Sequence, residues 1–258
     1  AKSRMDVVSK TFTRVAQNIL IKQETTSATL IMNALATAET NGVDHVTMST
    51  QKKRFILNDL NEMLTAAKRI NTSWIGGTPT SRTKGITDLL CSPEVVEDLR
   101  AMAYNPINSV SSDGAAPAAG EDGVAAPDSV RDALYRTAGL PEFYGISIME
   151  LNELGINQKF NTLFCANAGS YNRPDGTGAG DAVETAHDEI VVGVDRSRDS
   201  LIRAVATDSE SGGEFTLLAD DQYSIRQNKI GYFGSIEEGR VVLDNRVLIG
   251  KVIYSDKP

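Results

Sequence analysis

Residues 220–254 read DDQYSIRQNKIGYFGSIEEGRVVLDNRVLIGKVIY, and the fold class turns on them. Ile225, Ile230, Tyr232, Val241, Leu243 and the run 247–254 supply the β-branched and aromatic side chains that suit a pleated surface. Between them stand turn-forming residues. Gly239, after Glu237 and Glu238, fits the positive-φ place of a three-residue hairpin loop, and Asp244-Asn245 fits a two-residue type I′ turn. The stretch therefore predicts consecutive antiparallel strands, a β-meander ending the chain. Its last strand is apolar on both faces, with Val247, Ile249 and Ile253 against Leu248, Val252 and Tyr254, so each face needs a cover.

Working outward, the 258 residues are 41% hydrophobic, enough for one large or two modest domains. No apolar run approaches the roughly 20 residues that cross a bilayer, and AKSRMDVVSK at the start lacks a signal peptide's apolar stretch. Ala1 in place of Met reads as a processed or truncated start. Two cysteines, Cys91 and Cys165, do not make a disulfide scaffold and fit a reducing compartment. A formal charge of −8 leaves no electrostatic footprint for gripping nucleic acid.

The chain opens on a long helical pattern. Ser3 to Asp6 reads as a capping box, and Met5, Val8, Phe12, Val15 and Ile19 recur at spacings of three and four. Such a narrow stripe predicts burial along one side, either as a structural spine or as a coiled-coil seam. After the polar run 22–27 it resumes with Leu30, Ile31, Ala34, Leu35 and Ala38, so a break near Thr25 is expected; unbroken, the helix would be on the order of 50 Å long. A second helix, capped by Thr50 and ended by Asn71 and Gly76-Gly77, shows Phe55, Ile56, Leu60, Met63, Leu64 and Ala67 on one face. Residues 86–91 then read as a buried strand, with Ser92 as N-cap, Pro93 as first helical residue, and Val95, Val96, Leu99 and Met102 as the helix's buried face. Residues 106–128 lack any basic or aromatic residue and read as a mobile acidic loop. Asp128 caps a short helix stopped by Gly139 and Pro141; residues 145–151, 190–194 and 201–206 read as strands, and the Gly-rich stretch 169–181 as a loop.

No constellation of residues makes a persuasive catalytic, cofactor-binding or metal site. GTGAGD at 176–181 lacks the GxGxxG spacing and the strand-to-helix context of a dinucleotide fingerprint, and GGTPTSRTKG at 76–85 lacks the GK[ST] ending of a phosphate loop. His45, His187, Cys91 and Cys165 do not stand at zinc half-site spacing. No GxSxG elbow surrounds Ser147, though a Ser/His/Asp triad can be scattered in sequence. Both cysteines sit in apolar, strand-like surroundings (DLLCS and TLFCA), which favours buried inert thiols. Glu237-Glu238, and Glu184 with Glu189, read as solvated charge. Asn71-Thr72-Ser73 is a glycosylation sequon only if secreted. At 6% aromatic content, with no basic-aromatic interleaving, single-strand binding is not indicated.

The order of elements is more telling than any motif. A long opening helix, an amphipathic helix, the strand-to-helix segment TDLLCSPEVVEDLRAM, a polar loop, the strand FYGISIMEL and a terminal β-region with QYSIRQNKIGYF resemble, over essentially the whole chain, the major capsid protein of tailed bacteriophages of the Hong Kong 97 type. The resemblance implies an α+β fold, with a long spine helix and β-meander in a peripheral domain (residues 1–48 and 190–258) and a central sheet flanked by helices in an axial domain (residues 49–189). It implies a non-enzymatic shell protein of the virion, assembled in the host bacterial cytoplasm as hexamers and pentamers around double-stranded DNA, without cofactor, membrane or sequence-specific DNA contact. Portal, scaffold, maturation protease and decoration proteins are the implied partners. The family's N-terminal arm and extended hairpin do not precede the helix here, so its Lys–Asn crosslink is not carried over. Two other readings remain: a bacterial nanocompartment shell enclosing enzymes, and a hydrolase with a scattered site.

Overall fold

In a computed structural model, residues 2–36, 38–40, 43–49, 54–72, 85–101, 142–143, 145–168, 170–171, 181–196, 200–207, 214, 216–220 and 231–254 are described. The chain opens with helix α1 (Lys2–Ala36), 35 residues without interruption. At about 1.5 Å rise per residue that is roughly 52 Å. The expected break near Thr25 is absent. Instead the hydroxyls of Thr25, Thr26, Ser27 and Thr29 fold back onto the carbonyls of Ile21, Lys22, Gln23 and Thr25 at 2.7 to 3.0 Å. Hydroxyls that satisfy themselves on the preceding turn let a polar run continue a helix. Helix α1 begins ahead of Ser3, so Ser3 lies in its first turn and not at an N-cap.

A two-residue ladder, β1 (Glu39–Thr40) with β2 (Val43–Asp44), leads into β3 (Val46–Met48). Helix α2 (Leu57–Thr72) starts seven residues after Thr50; Asp59 accepts from the Ile56 backbone N–H at 3.1 Å and so caps it from within. Strand β4 (Asp88–Cys91) runs into α3 (Pro93–Ala101), and Ser92 is the N-cap as its sequence predicts, its Oγ accepting from Val95 N at 3.2 Å. Next come β5 (Glu142–Phe143), β6 (Ile146–Glu150), a short 3-10 turn Asn152–Leu154, and α4 (Lys159–Cys165). Strands β7 (Ser170–Tyr171) and β8 (Asp181–Ala182) pair with each other. The rest is β9 (Asp188–Val194), β10 (Leu201–Val205), β11 (Thr216–Asp220), β12 (Gly231–Ser235), β13 (Glu238–Val242), a 3-10 turn Asn245–Val247 and β14 (Leu248–Tyr254).

The C-terminal strands are not a meander. Strand β14 pairs antiparallel with β9 (Leu248 opposite Val194), β13 with β10 (Leu201 opposite Val242), and β12 with β11 (Thr216 opposite Ser235). These pairs are nested: the chain runs outward through β9, β10 and β11 and returns through β12, β13 and β14. Local turn chemistry misled the sequence reading. Gly239 lies inside β13 opposite Ala204, not in a loop, and the positive-φ glycines among the described residues are Gly85 and Gly145. Asp244 does not open a type I′ turn either; its Oδ1 accepts from Arg246 N at 3.0 Å and caps the 3-10 turn.

The mixed sheet that organises the core has the order β3-β14-β9-β4-β6-β5, with β3 parallel to β14 and β4 parallel to β6. Both faces of its centre are covered, as the two-sided apolar pattern of β14 predicts. On one face Phe55 ahead of α2, Leu60, Met63 and Ile70 of α2, and Val95 and Leu99 of α3 pack against Leu89, Val191, Ile249 and Ile253. On the other, the last turns of α1 and helix α4 bring Met32, Leu35, Phe160 and Phe164 against Ile190, Val192, Leu248 and Val252. The period-two alternation of β9 and β14 deals their side chains to the two layers in turn. Asn161 fastens α4 to the sheet: its Nδ2 donates to Asp188 O at 2.7 Å and its Oδ1 accepts from Ile190 N at 3.2 Å.

The acidic loop 106–128, Asp128 and Gly139, Met102, Thr50 and Gly76-Gly77 lie outside the described residues, as does most of the Gly-rich stretch 169–181.

Candidate assembly surface

Cys91 is buried in β4, and Cys165 ends α4, a helix where the sequence suggested a strand. Burial pushes both thiols up to about 12, so neither is a thiolate nucleophile near neutral pH. His45 is buried with Nδ1 3.0 Å from Leu248 O, and burial lowers its pKa below the ordinary value. His187 is exposed and its ring lies 5.9 Å from that of Tyr254. Among the described residues no group of three His, Cys, Asp or Glu side chains could hold a metal ion, and no helix is long and apolar enough to cross a membrane. Glu189 does not stand in solvent as the sequence reading had it: it is buried in β9 and accepts from Ser92 Oγ at 2.7 Å.

The unusual features lie instead on the outer half of the molecule, where β10 and β13 form a two-stranded ribbon beside α1. Cross-strand pairing puts Leu201, Arg203, Val205, Glu238, Arg240 and Val242 on one face of this ribbon. That face meets the helix. Arg240 Nη1 donates to the Gln23 carbonyl, Gln23 Nε2 donates to Glu238 Oε2 at 3.2 Å, and Glu238 binds Arg203 at 2.9 Å and Arg240 at 3.1 Å. The opposite face carries Ile202 paired with Val241 and Ala204 paired with Gly239, with Leu243 just beyond. All of these are exposed, and none carries a charge. A half-buried antiparallel ribbon ordinarily turns charge outward; here the ion-paired residues share the helix-side face with Leu201, Val205 and Val242, and the outward face holds no charge.

Helix α1 is divided in the same sense. Ala28, Met32, Leu35 and Ala36 are buried in the core, whereas among the described side chains from Ser9 to Lys22 every one is exposed except half-buried Ile19. Phe12 and Val15, expected from their spacing to be enclosed, are 36% and 45% exposed, and Leu20 and Ile21 are 62% and 53% exposed. The sequence pattern was right about a helix and wrong about its cover, because periodicity shows that a stripe is apolar without showing which surface meets it.

Scans against protein-family models and curated proteins find no match. The chain is thus read from its own geometry. Among the described residues, the uncharged ribbon face and the exposed large aliphatic side chains of α1 are the candidate contact surfaces.

Proposed function

We propose that the chain is the major capsid protein of a tailed-bacteriophage head, of the Hong Kong 97 type, which self-assembles through hexamers and pentamers into an icosahedral shell around double-stranded DNA. The observation that supports this reading best is the ribbon: its ion pairs hold β13 to α1, and its uncharged face is left for neighbours. The element order of the sequence adds the family resemblance, and the roughly 52 Å helix beside a sheet filled on both faces suits a rigid plate that tiles. A net charge of −8 suits a container for DNA, because a cationic lining would bind phosphates and hinder packaging and release. Portal, scaffold, maturation protease and decoration proteins are the partners such a shell uses.

Negative-stain micrographs of the full-length protein, expressed with and without its neighbouring phage genes, test this. Closed shells holding genomic DNA are expected. A protein monomeric under every assembly condition overturns the proposal. So do shells that hold a cargo enzyme, which indicate a nanocompartment, or monomer with hydrolytic turnover.

A further inference from the structure

The two exposed surfaces belong together. Segment 2–22 of α1 carries Lys2, Arg4, Lys10, Arg14 and Lys22 against the single acid Asp6, a net +4 in a chain whose total is −8, so the remainder is −12. Phe12, Val15 and half-buried Ile19 line one side of it, while exposed Leu20 and Ile21 stand off that line at about 100° per residue, so its apolar surface is wider than one seam. A helix apolar on several sides is normally enclosed. Its composition also argues for a partner. Val7, Val8, Thr11, Thr13, Val15, Ile19 and Ile21 are β-branched and weak helix formers, and a segment of this length gains most of its helical stability from packing. The ribbon offers the matching surface: Ile202, Val241 and Leu243 without charge, and exposed Glu237 on the same face just before β13. A chain's own α1 cannot reach it. That helix already occupies the ribbon's other face through Gln23, Arg240 and Glu238.

We infer that the projecting half of α1 from one copy docks across the outward face of the β10–β13 ribbon of the next. This deepens the shell reading and rests on it for its biological setting. The contact is heterologous, one surface meeting a different surface on the neighbour, which is the kind of contact that closes rings of subunits. Aliphatic burial supplies its strength, and a +4 helix segment set against Glu237 on an otherwise acidic chain supplies orientation and salt sensitivity.

Crosslinking in trans tests it. In a Cys165→Ser background, Val241→Cys protein is mixed under assembly conditions with Val15→Cys protein, and in a second series with Ile21→Cys protein, then treated with a short bis-maleimide. All three positions are exposed, so the subunit fold is retained. A covalent heterodimer is expected in at least one series, reduced severalfold by Ile202→Asp on the ribbon copy and by high salt. Self-associated protein that gives no heterodimer in either series overturns the inference, as does helix-to-helix crosslinking alone, which would make α1 a coiled-coil seam. The outcomes separate from those of the shell reading. Closed particles without the crosslink sink the contact and leave the capsid. Crosslinked rings or filaments that never close keep the contact and sink the capsid.

Discussion

Lys251 on β14 and Asp59 on α2 are both buried, 1% and 0% exposed at the side chain, and their charged atoms stand 3.6 Å apart. Glu62, one turn further along α2 and partly exposed, lies 2.5 Å from the same Nζ. Lys251 alternates with Ile249 and Ile253 on the α2 side of the sheet, so it is a cation placed in an apolar layer. Asp59 also accepts from Ser49 Oγ at 2.9 Å and from Ile56 N. One carboxylate thus ties together α2, the segment after β3 and the last strand.

Removing one partner strands the other in a medium that does not solvate charge. Lys251→Met should cost about 3–5 kcal/mol at neutral pH, whereas Lys251→Met with Asp59→Leu should regain most of it, because a buried pair can be replaced by apolar groups with little loss. The pH dependence gives a second check. Burial already raises the Asp59 carboxyl above its ordinary value, although Lys251 opposes the shift. A raised acid is protonated more readily in the folded chain than in the unfolded one. Its stabilising contribution is therefore full below the unfolded value of about 4 and is lost as pH rises through the folded value. Without Lys251 the shift grows, so urea melts of Lys251→Met should show a deficit that is small below pH 4 and widens toward neutrality. A deficit independent of pH would mean that lost packing, not charge, is responsible.

The N-cap of α3 gives a prediction read directly from the sequence. Ser92 accepts from Val95 N and donates to buried Glu189, so Ser92→Ala removes a cap worth about 0.5–2 kcal/mol. It also leaves a carboxylate oxygen short of one donor inside the core, for a further 1–3 kcal/mol or so. Ser92→Thr keeps both groups and should recover most of the loss in thermal melts; equal losses from Ala and Thr would show that neither hydrogen bond counts.

Which parts of the fold were legible follows from the range of the forces that set them. Ser92-Pro93, the alternation of β14 and the helix periodicity of α1 and α2 are local signals, and each has its counterpart in the structure. The pairing of β13 with β10 was hidden, because Glu237-Glu238-Gly239 fits a hairpin loop as well as it fits a strand start, and only contacts more than thirty residues away decide between them. The buried cluster was missed for a related reason. Lys251 interrupts an apolar run, a signal that could have been followed, but nothing local to Asp59 and Glu62 shows that α2 lays them against the last strand. The candidate surface was half legible: the stripe on α1 was plain, and its lack of cover was not.

Two glycines should respond oppositely to a side chain. A Cβ at Gly193, next to the last residue of β9, would lie 2.8 Å from Ile86 Cδ1 and 3.1 Å from its Cγ1, and Ile86 is itself buried. Overpacking of this kind costs about 1–3 kcal/mol, and Gly193→Ala with Ile86→Val should be milder than Gly193→Ala alone. Gly239 has nothing within 4 Å of the same position and lies in a strand. Gly239→Val should leave the melting temperature of the unassembled subunit unchanged or raise it, since a β-branched residue suits a strand better than glycine. A large loss at Gly239 would return that residue to a turn and undo the register of β10 and β13.

The last contrast separates the core from the exposed helix. Phe164 on α4 is fully enclosed between α1 and β9, whereas Phe12 keeps about a third of its surface in water. Truncating an enclosed phenylalanine loses its transfer free energy and leaves a cavity, so Phe164→Ala should cost about 3–5 kcal/mol. Phe12→Ala loses only part of the first term and opens no cavity, and about 1 kcal/mol is expected for the isolated subunit. Assembly should reverse the ranking of consequences: Phe164→Ala should lower soluble yield, whereas Phe12→Ala should fold normally and assemble poorly. Chemical melts of the subunit and sedimentation of assembled material, run on the same two variants, measure the two halves of this claim. A loss above about 3 kcal/mol for Phe12→Ala in the subunit alone would place that residue in the core after all and remove the projecting helix from the argument.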